Sequence, residues 1–86
     1  MIDNLWERIT QCEGQAFYQI RGGEFTYQVK GNVLTLSRTN RSISKNTINE
    51  ALQFVPLENT VPLQHLQAPS YLFAILMDER IRRTDW

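Results

Sequence analysis

Apolar residues recur at helical spacing through Ile2, Leu5, Trp6, Ile9 and Cys12, forming one stripe along the start of the chain. Asp3 and Asn4 suit the beginning of such a helix and Gly14 its end, so the spacing predicts a helix over roughly Asp3 to Glu13. From Ala16 to Arg38 the period changes to alternation, interrupted by Gly22-Gly23 and Gly31-Asn32, dipeptides typical of two-residue hairpin turns. Taken as such turns, they set a register. Val29 then faces Leu34 and Tyr27 faces Leu36 in the second hairpin. In the first, Ile20 faces Phe25, Tyr18 faces Tyr27 and Ala16 faces Val29. These residues share one face, and Arg21 falls opposite Glu24. The opposite face carries Gln19, Thr26, Gln28, Lys30, Thr35 and Ser37, with Phe17 and Val33 as its only large apolar members. The prediction is a three-stranded antiparallel meander over Ala16–Arg38, covered by helices on its Tyr18/Tyr27/Leu36 face.

Helical spacing returns with Ile48, Ala51, Leu52 and Val55. Ser44 is the expected N-cap, with Ile43 stapled onto Ile48, and Pro56 stops the helix because the residue before proline is pushed from helical geometry. Leu57–Ala68 has no clear period and reads as an ordered connector. Pro69-Ser70-Tyr71 then opens a segment whose apolar residues fit a helix to about Arg83. A buried strand over Tyr71–Met77 is the alternative for that short apolar run. The fold class predicted is α+β: an N-terminal helix, the meander, then two helices packed on one sheet face.

Composition narrows the picture. Eighty-six residues suit one domain, residues 1–86, of a size that buries only a modest share of its surface. One cysteine, Cys12, excludes an internal disulfide, and Cys12 with His65 is too small a set of soft ligands for structural zinc. Stability must come from the core or from oligomerisation. Nine basic residues balance nine acidic ones, which argues against a general polyanion binder while leaving local patches open. No secretory signal opens the chain, and Tyr71–Met77, the longest apolar run, is far short of the roughly 20 residues that span a bilayer. A cytoplasmic protein without membrane contact is expected.

Gly14-x-x-Phe17, Gly23-x-Phe25-x-Tyr27, Arg38-Thr39-Asn40, Pro69-Ser70-Tyr71 and Asp78-x-Arg80-Ile81 resemble a family of small bacterial proteins of unknown function. The resemblance covers most of the chain. It implies a bacterial source and a single-domain unit, and it carries over no catalytic residue.

The densest chemistry lies after the meander. Between Arg21 and Lys45 stand five basic residues and one acid. Arg38, Asn40 and Arg41 form a loop that is expected to run into a helix N-terminus at Lys45, where amides and the helix dipole favour an anion. Arginine matches phosphate and asparagine reads a base edge. Arg82 and Arg83 would add phosphate contacts if the C-terminal helix lay beside Arg38 and Arg41. The plainer account is a solvated loop whose arginines pair with Glu50 or the C-terminal acids.

Other features point less far. The polar sheet face around Phe17 is a possible stacking platform with one aromatic, and an ordinary solvent face explains it as well. Strands one and three of a meander are edges without proline, which invites a homodimer or an added strand from a partner. Gln28-Val29-Lys30 has the look of a nuclease strand but lacks the acids that would hold a metal. His65 has no nucleophile or acid at a suggestive position and reads as a surface residue, and Cys12 as a small core residue.

No cofactor and no catalytic constellation are expected. The sequence points first to a binding module, not an enzyme, with nucleic acid as partner through Arg38, Asn40, Arg41 and Lys45, helped by Arg82 and Arg83, and a small homo-oligomer, such as a homodimer, as its working form. The second reading is a protein-interaction module docking through a sheet edge or an apolar rim at Phe17 and Trp86.

Overall fold

The computed structural model describes residues 1–86. Helix α1 spans Ile2–Gln11 and buries Leu5, Trp6 and Ile9, the centre of the predicted stripe. A short ladder follows, β1 (Phe17–Tyr18) against β2 (Glu24–Phe25). Strands β3 (Tyr27–Lys30), β4 (Val33–Leu36) and β5 (Ser42–Ser44) form the three-stranded antiparallel meander in that spatial order. Helix α2 (Lys45–Ala51) continues as a tighter turn to Phe54, and α3 (Pro69–Leu76) and α4 (Glu79–Arg82) close the chain. The fold is α+β, with the N-terminal helix, an antiparallel meander and helices after it. Tyr71–Leu76 is helical, not a strand.

The second hairpin has the expected register. Tyr27 faces Leu36, Val29 faces Leu34, and the two-residue loop closes on Gly31 at φ +58°. Tyr27, Leu34, Leu36 and Ile43 are all buried, with Val29 half-buried, while Gln28, Lys30, Val33, Thr35 and Ser42 face out. The third strand of this sheet is Ser42–Ser44, not the segment that begins at Ala16.

The first hairpin corrects the predicted register. Phe17 faces Phe25 and Tyr18 faces Glu24. The Gln19 amide donates to the Gly23 carbonyl (2.9 Å) and the Gly22 amide to the Gln19 carbonyl (2.8 Å). Ile20-Arg21-Gly22 is therefore a three-residue loop: a turn followed by a left-handed residue, Gly22 at φ +86°. Gly22 supplies the positive φ, and Gly23 begins the return strand instead of sharing a two-residue turn. The register moves by an odd number of residues, which turns β1 over while Phe25 stays inward as predicted. Phe17, expected outside, is completely buried. Tyr18 and Ile20, expected inside, are 58% and 61% exposed. The expected pair of Arg21 with Glu24 does not form; the ion pairs are Arg8–Asp85, Lys45–Asp3 and Arg80–Asp78.

Helix α1 is the hub of the core, packing on both α2 and α4. Trp6 Nε1 donates to the Gly31 carbonyl (3.0 Å), pinning the helix to the β3–β4 turn. The buried Tyr27 hydroxyl donates to the Ile9 carbonyl (2.6 Å), and burial pushes this phenol above its ordinary pKa. Nineteen buried apolar residues form one cluster, with no buried polar side-chain atom left unpaired. At 20–30 cal/mol per Å2 that cluster is the main source of stability, roughly 1.5–3 kcal/mol for each large side chain.

Side-chain caps set the starts of α2 and α4. Ser44 Oγ accepts from the Thr47 amide (3.1 Å), as its sequence position predicts, and Ile43 and Ile48 are both fully buried beside it. Val55 is extended before Pro56, so the helical stretch ends where proline requires. The last helix, expected to run unbroken to Arg83, breaks at Met77-Asp78. Asp78 takes an extended conformation and its carboxylate caps the Arg80 amide (2.9 Å). The break lets Arg80 turn back across the core.

Candidate functional site

The predicted basic residues fall in three separate places. Arg38, Asn40 and Arg41 occupy the exposed turn between β4 and β5. Lys45 lies at the opposite end of β5, where its amide donates to the Asn32 carbonyl (2.7 Å) beside the β3–β4 turn. Three strand residues, roughly 10 Å at 3.3 Å per residue, separate the loop from that helix start. Lys45 Nζ is also held by Asp3 Oδ1 at 2.8 Å, and this contact lowers the Asp3 pKa. The expected loop-to-helix anion site is therefore not assembled, because a strand intervenes where a direct entry into the helix was predicted.

Arg82 and Arg83 lie at the far end of the chain. Arg82 Nε donates to the Trp86 carbonyl (2.7 Å), and Arg83 shares a polar hollow on the α1 surface with Asn4, Glu7, Arg8 and Gln11. Neither is brought to the Arg38 loop by any contact.

Arg38 reaches a different neighbour, the β1–β2 loop. The Arg38 Nη1 atom lies only 2.6 Å from where a Cβ on Gly23 would sit, with Gln19 Oε1 at 2.5 Å from the same point. Arg38 therefore lies across the base of the β1–β2 loop whose tip carries Arg21. Arg41 belongs to the same β4–β5 turn, its carbonyl accepting from the Leu36 amide (3.3 Å). Arg21, Arg38 and Arg41 make no ion pair, whereas Arg8, Lys45 and Arg80 are each held by an aspartate.

Beside this loop is the largest cavity, of about 500 Å3. It is lined by Gln19, Ile20 and Arg21 on one side, Asn59 and Thr60 on the other, and Ser70 at the start of α3. Gln19 Nε2 donates to Ser70 Oγ (2.9 Å), which ties the loop to the helix and forms the floor of the cleft. A guanidinium without an acid, two amides and two hydroxyls around open space suit an anionic or polar group. An adjoining groove of about 210 Å3 is apolar, lined by Tyr18, Ile20, Phe73, Ala74 and Met77 with Asp78 at its end. Ile20 lines both.

Tyr18 and Ile20 as surface residues were hidden by the predicted hairpin register, whereas Arg21 was already counted among the basic residues. A three-residue reading of Ile20-Arg21-Gly22, with Gly22 as the left-handed position, would have found them. Asn59, Thr60 and Ser70 carry no sequence signal, since only the tertiary fold sets the connector beside the loop.

The edge of β3 is not bare: the Gly14 amide donates to the Tyr27 carbonyl (3.0 Å), and Glu13 accepts from the Val29 amide (3.2 Å). Phe17 is no part of a rim, and Trp86 is half-buried with its Nε1 on the Leu76 carbonyl (2.9 Å). His65 is exposed with its ring edge against Phe54, and Cys12 is half-buried against the core. No group of three or more His, Cys, Asp and Glu is placed to hold a metal ion, and no helix is long and apolar enough to cross a membrane.

In comparisons with known proteins, no family model matches the chain, and no curated protein or solved structure matches it significantly. Function therefore rests on the geometry of this chain alone.

Proposed function

We propose that the chain is a small cytoplasmic binding module, not an enzyme, that engages nucleic acid through Arg21, Arg38 and Arg41. One observation carries this reading. These exposed arginines come from two loops in contact and, like Lys30 and Arg83 but unlike Arg8, Lys45 and Arg80, have no acidic partner. Unneutralised guanidinium groups on exposed loops are suited to phosphate, and the open cleft beside Arg21 leaves room for a strand to approach. Asn40, in the same turn, supplies an amide within reach of a base edge. Lys45, Arg82 and Arg83 have no part in the proposed surface.

The test is a salt titration of binding to generic single-stranded and duplex DNA and RNA. Phosphate-driven binding weakens linearly in log–log form, with a slope of about −0.7 per phosphate contacted on a single strand. The double variant Arg38→Ala/Arg41→Ala is expected to flatten that slope by roughly 1 to 1.5. Absence of binding at low salt, or an unchanged slope in the double variant, refutes the reading.

A second reading, a protein-interaction module, is favoured by the exposure of Tyr18, Ile20 and Val61, the last 70% exposed. Exposed aromatic and aliphatic groups next to arginine are common at protein interfaces. Its route would be this surface and not the β3 edge, which Glu13 and Gly14 cover. A single stoichiometric protein partner, or a second copy of the chain, with binding insensitive to salt would support it.

A further inference from the structure

The polar cleft and the apolar groove meet at Ile20, so charge and hydrophobicity are offered side by side to one ligand. Tyr18 is the aromatic of this surface, 58% exposed, with no hydrogen bond from its hydroxyl. Phe73 and Met77 of the α3 segment, both half-buried, form the opposite wall. Around the groove the charges are ordered. Glu24, cross-strand from Tyr18, and Asp78, at the end of the groove, stand on the groove side, whereas Arg21 stands on the cleft side. An anionic group is thus directed to the cleft, and a flat apolar group to the groove.

We propose that the two cavities together seat a nucleotide unit of a single-stranded nucleic acid, its base against Tyr18 and its phosphate at Arg21. The proposal rests on the nucleic-acid reading above and specifies the form of the partner. A base paired inside a duplex has no free face for Tyr18, whereas an unpaired base can stack on an exposed aromatic while the backbone follows the arginines. Glu24, close to Tyr18, provides an acceptor for an exocyclic amino group of the stacked base.

The experiment is fluorescence anisotropy with three end-labelled 12-mers: a single-stranded oligonucleotide, its duplex, and an abasic strand of the same length. Each is titrated at low and moderate salt with the wild-type chain, Tyr18→Ala, Tyr18→Phe and Arg21→Ala. The expected result is single-strand binding about tenfold tighter than abasic or duplex binding. Tyr18→Ala loses that preference and leaves abasic binding unchanged, Tyr18→Phe keeps it, and Arg21→Ala weakens all three probes with a shallower salt slope. Tyr18 is exposed, so circular dichroism should show both Tyr18 variants folded. Equal affinity for all three probes, or no effect of Tyr18→Ala, overturns this inference and leaves phosphate binding standing. No binding of any probe overturns both. Tyr18-dependent capture of a 12-residue acidic, leucine-containing peptide in place of the oligonucleotides assigns the surface to a protein partner and overturns both as well.

Discussion

The Arg80 guanidinium carbon lies 4.0 Å from the centre of the Phe17 ring, with the cation over the aromatic face. The same side chain donates to the Ala16 carbonyl (2.8 Å), to Gln15 Oε1 (3.0 Å) and to both carboxylate oxygens of Asp78. One residue of α4 therefore holds the entry to β1, and through β1 the Tyr18–Arg21 surface. Phe17 stacks in turn on Tyr27 (5.2 Å between centroids) and Phe25 (6.0 Å), so the clamp reaches the centre of the core.

Replacing Arg80 by alanine removes the cation–π contact and the hydrogen bonds to β1 together. A loss of about 2 kcal/mol is expected from urea unfolding. Arg80→Lys should recover only part of it, since an ammonium cannot reproduce the planar fork. Full recovery by lysine would show that charge alone supports the contact.

Asp78 gives the clamp a pH dependence. Its hydrogen bonds from Arg80 hold the carboxyl below the ordinary aspartate range. A carboxylate with a depressed folded-state pKa contributes stability that is present above the unfolded value, near 3.9, and is lost as pH falls through the folded value. The stability difference between wild type and Asp78→Asn should be constant near neutrality and shrink below about pH 4. Paired urea melts between pH 7 and pH 2 measure it; a difference that grows with acidification contradicts the assignment.

Gly22 and Gly23 should respond differently to alanine. Gly22 has φ +86°, where a side chain is strained, so Gly22→Ala should cost roughly 1–2 kcal/mol. Gly23 has no positive φ, but a Cβ there meets the ends of Arg38 and Gln19. Gly23→Ala should therefore cost about 1 kcal/mol, because Arg38 can swing aside but Gln19 must give up its hydrogen bond to Ser70 to do so. It should also weaken oligonucleotide binding by moving Arg38. Thermal melts and anisotropy on the same two variants separate the effects.

Glu13 covers the Val29 amide on the outer edge of β3. Glu13→Ala exposes that donor and removes a charge that discourages strand pairing. Sedimentation velocity at increasing concentration should show greater self-association than wild type. Identical sedimentation would mean that the Gly14 contact closes the edge by itself.

Much of this architecture was written locally. The α1 stripe, the Gly31-Asn32 turn with its Tyr27–Leu36 register, the Ser44 cap and the Pro56 stop each depend on neighbours within a few residues. Periodicity, positive φ and capping act at that range, so the residues themselves were enough. The candidate surface was legible only in fragments. Arg38, Asn40 and Arg41 were visible as a basic loop, but their companion was not Lys45.

What the sequence determined by itself is the α+β class, the inward face of β3–β4 and the start of α2. The tertiary structure decided the rest, and each decision has a long-range cause. Gly22-Gly23 permits either a two-residue or a three-residue loop; the latter buries Phe17 between Phe25, Tyr27 and Arg80, contacts that a local pattern cannot weigh. That choice turns Tyr18 and Ile20 outward. Ser42–Ser44 becomes a strand because β4 offers it a hydrogen-bonding edge, and the strand carries Lys45 away from Arg38 to Asp3. The placement of Asn59, Thr60 and Ser70 beside Arg21 comes from chain segments about 40–50 residues apart meeting over one core.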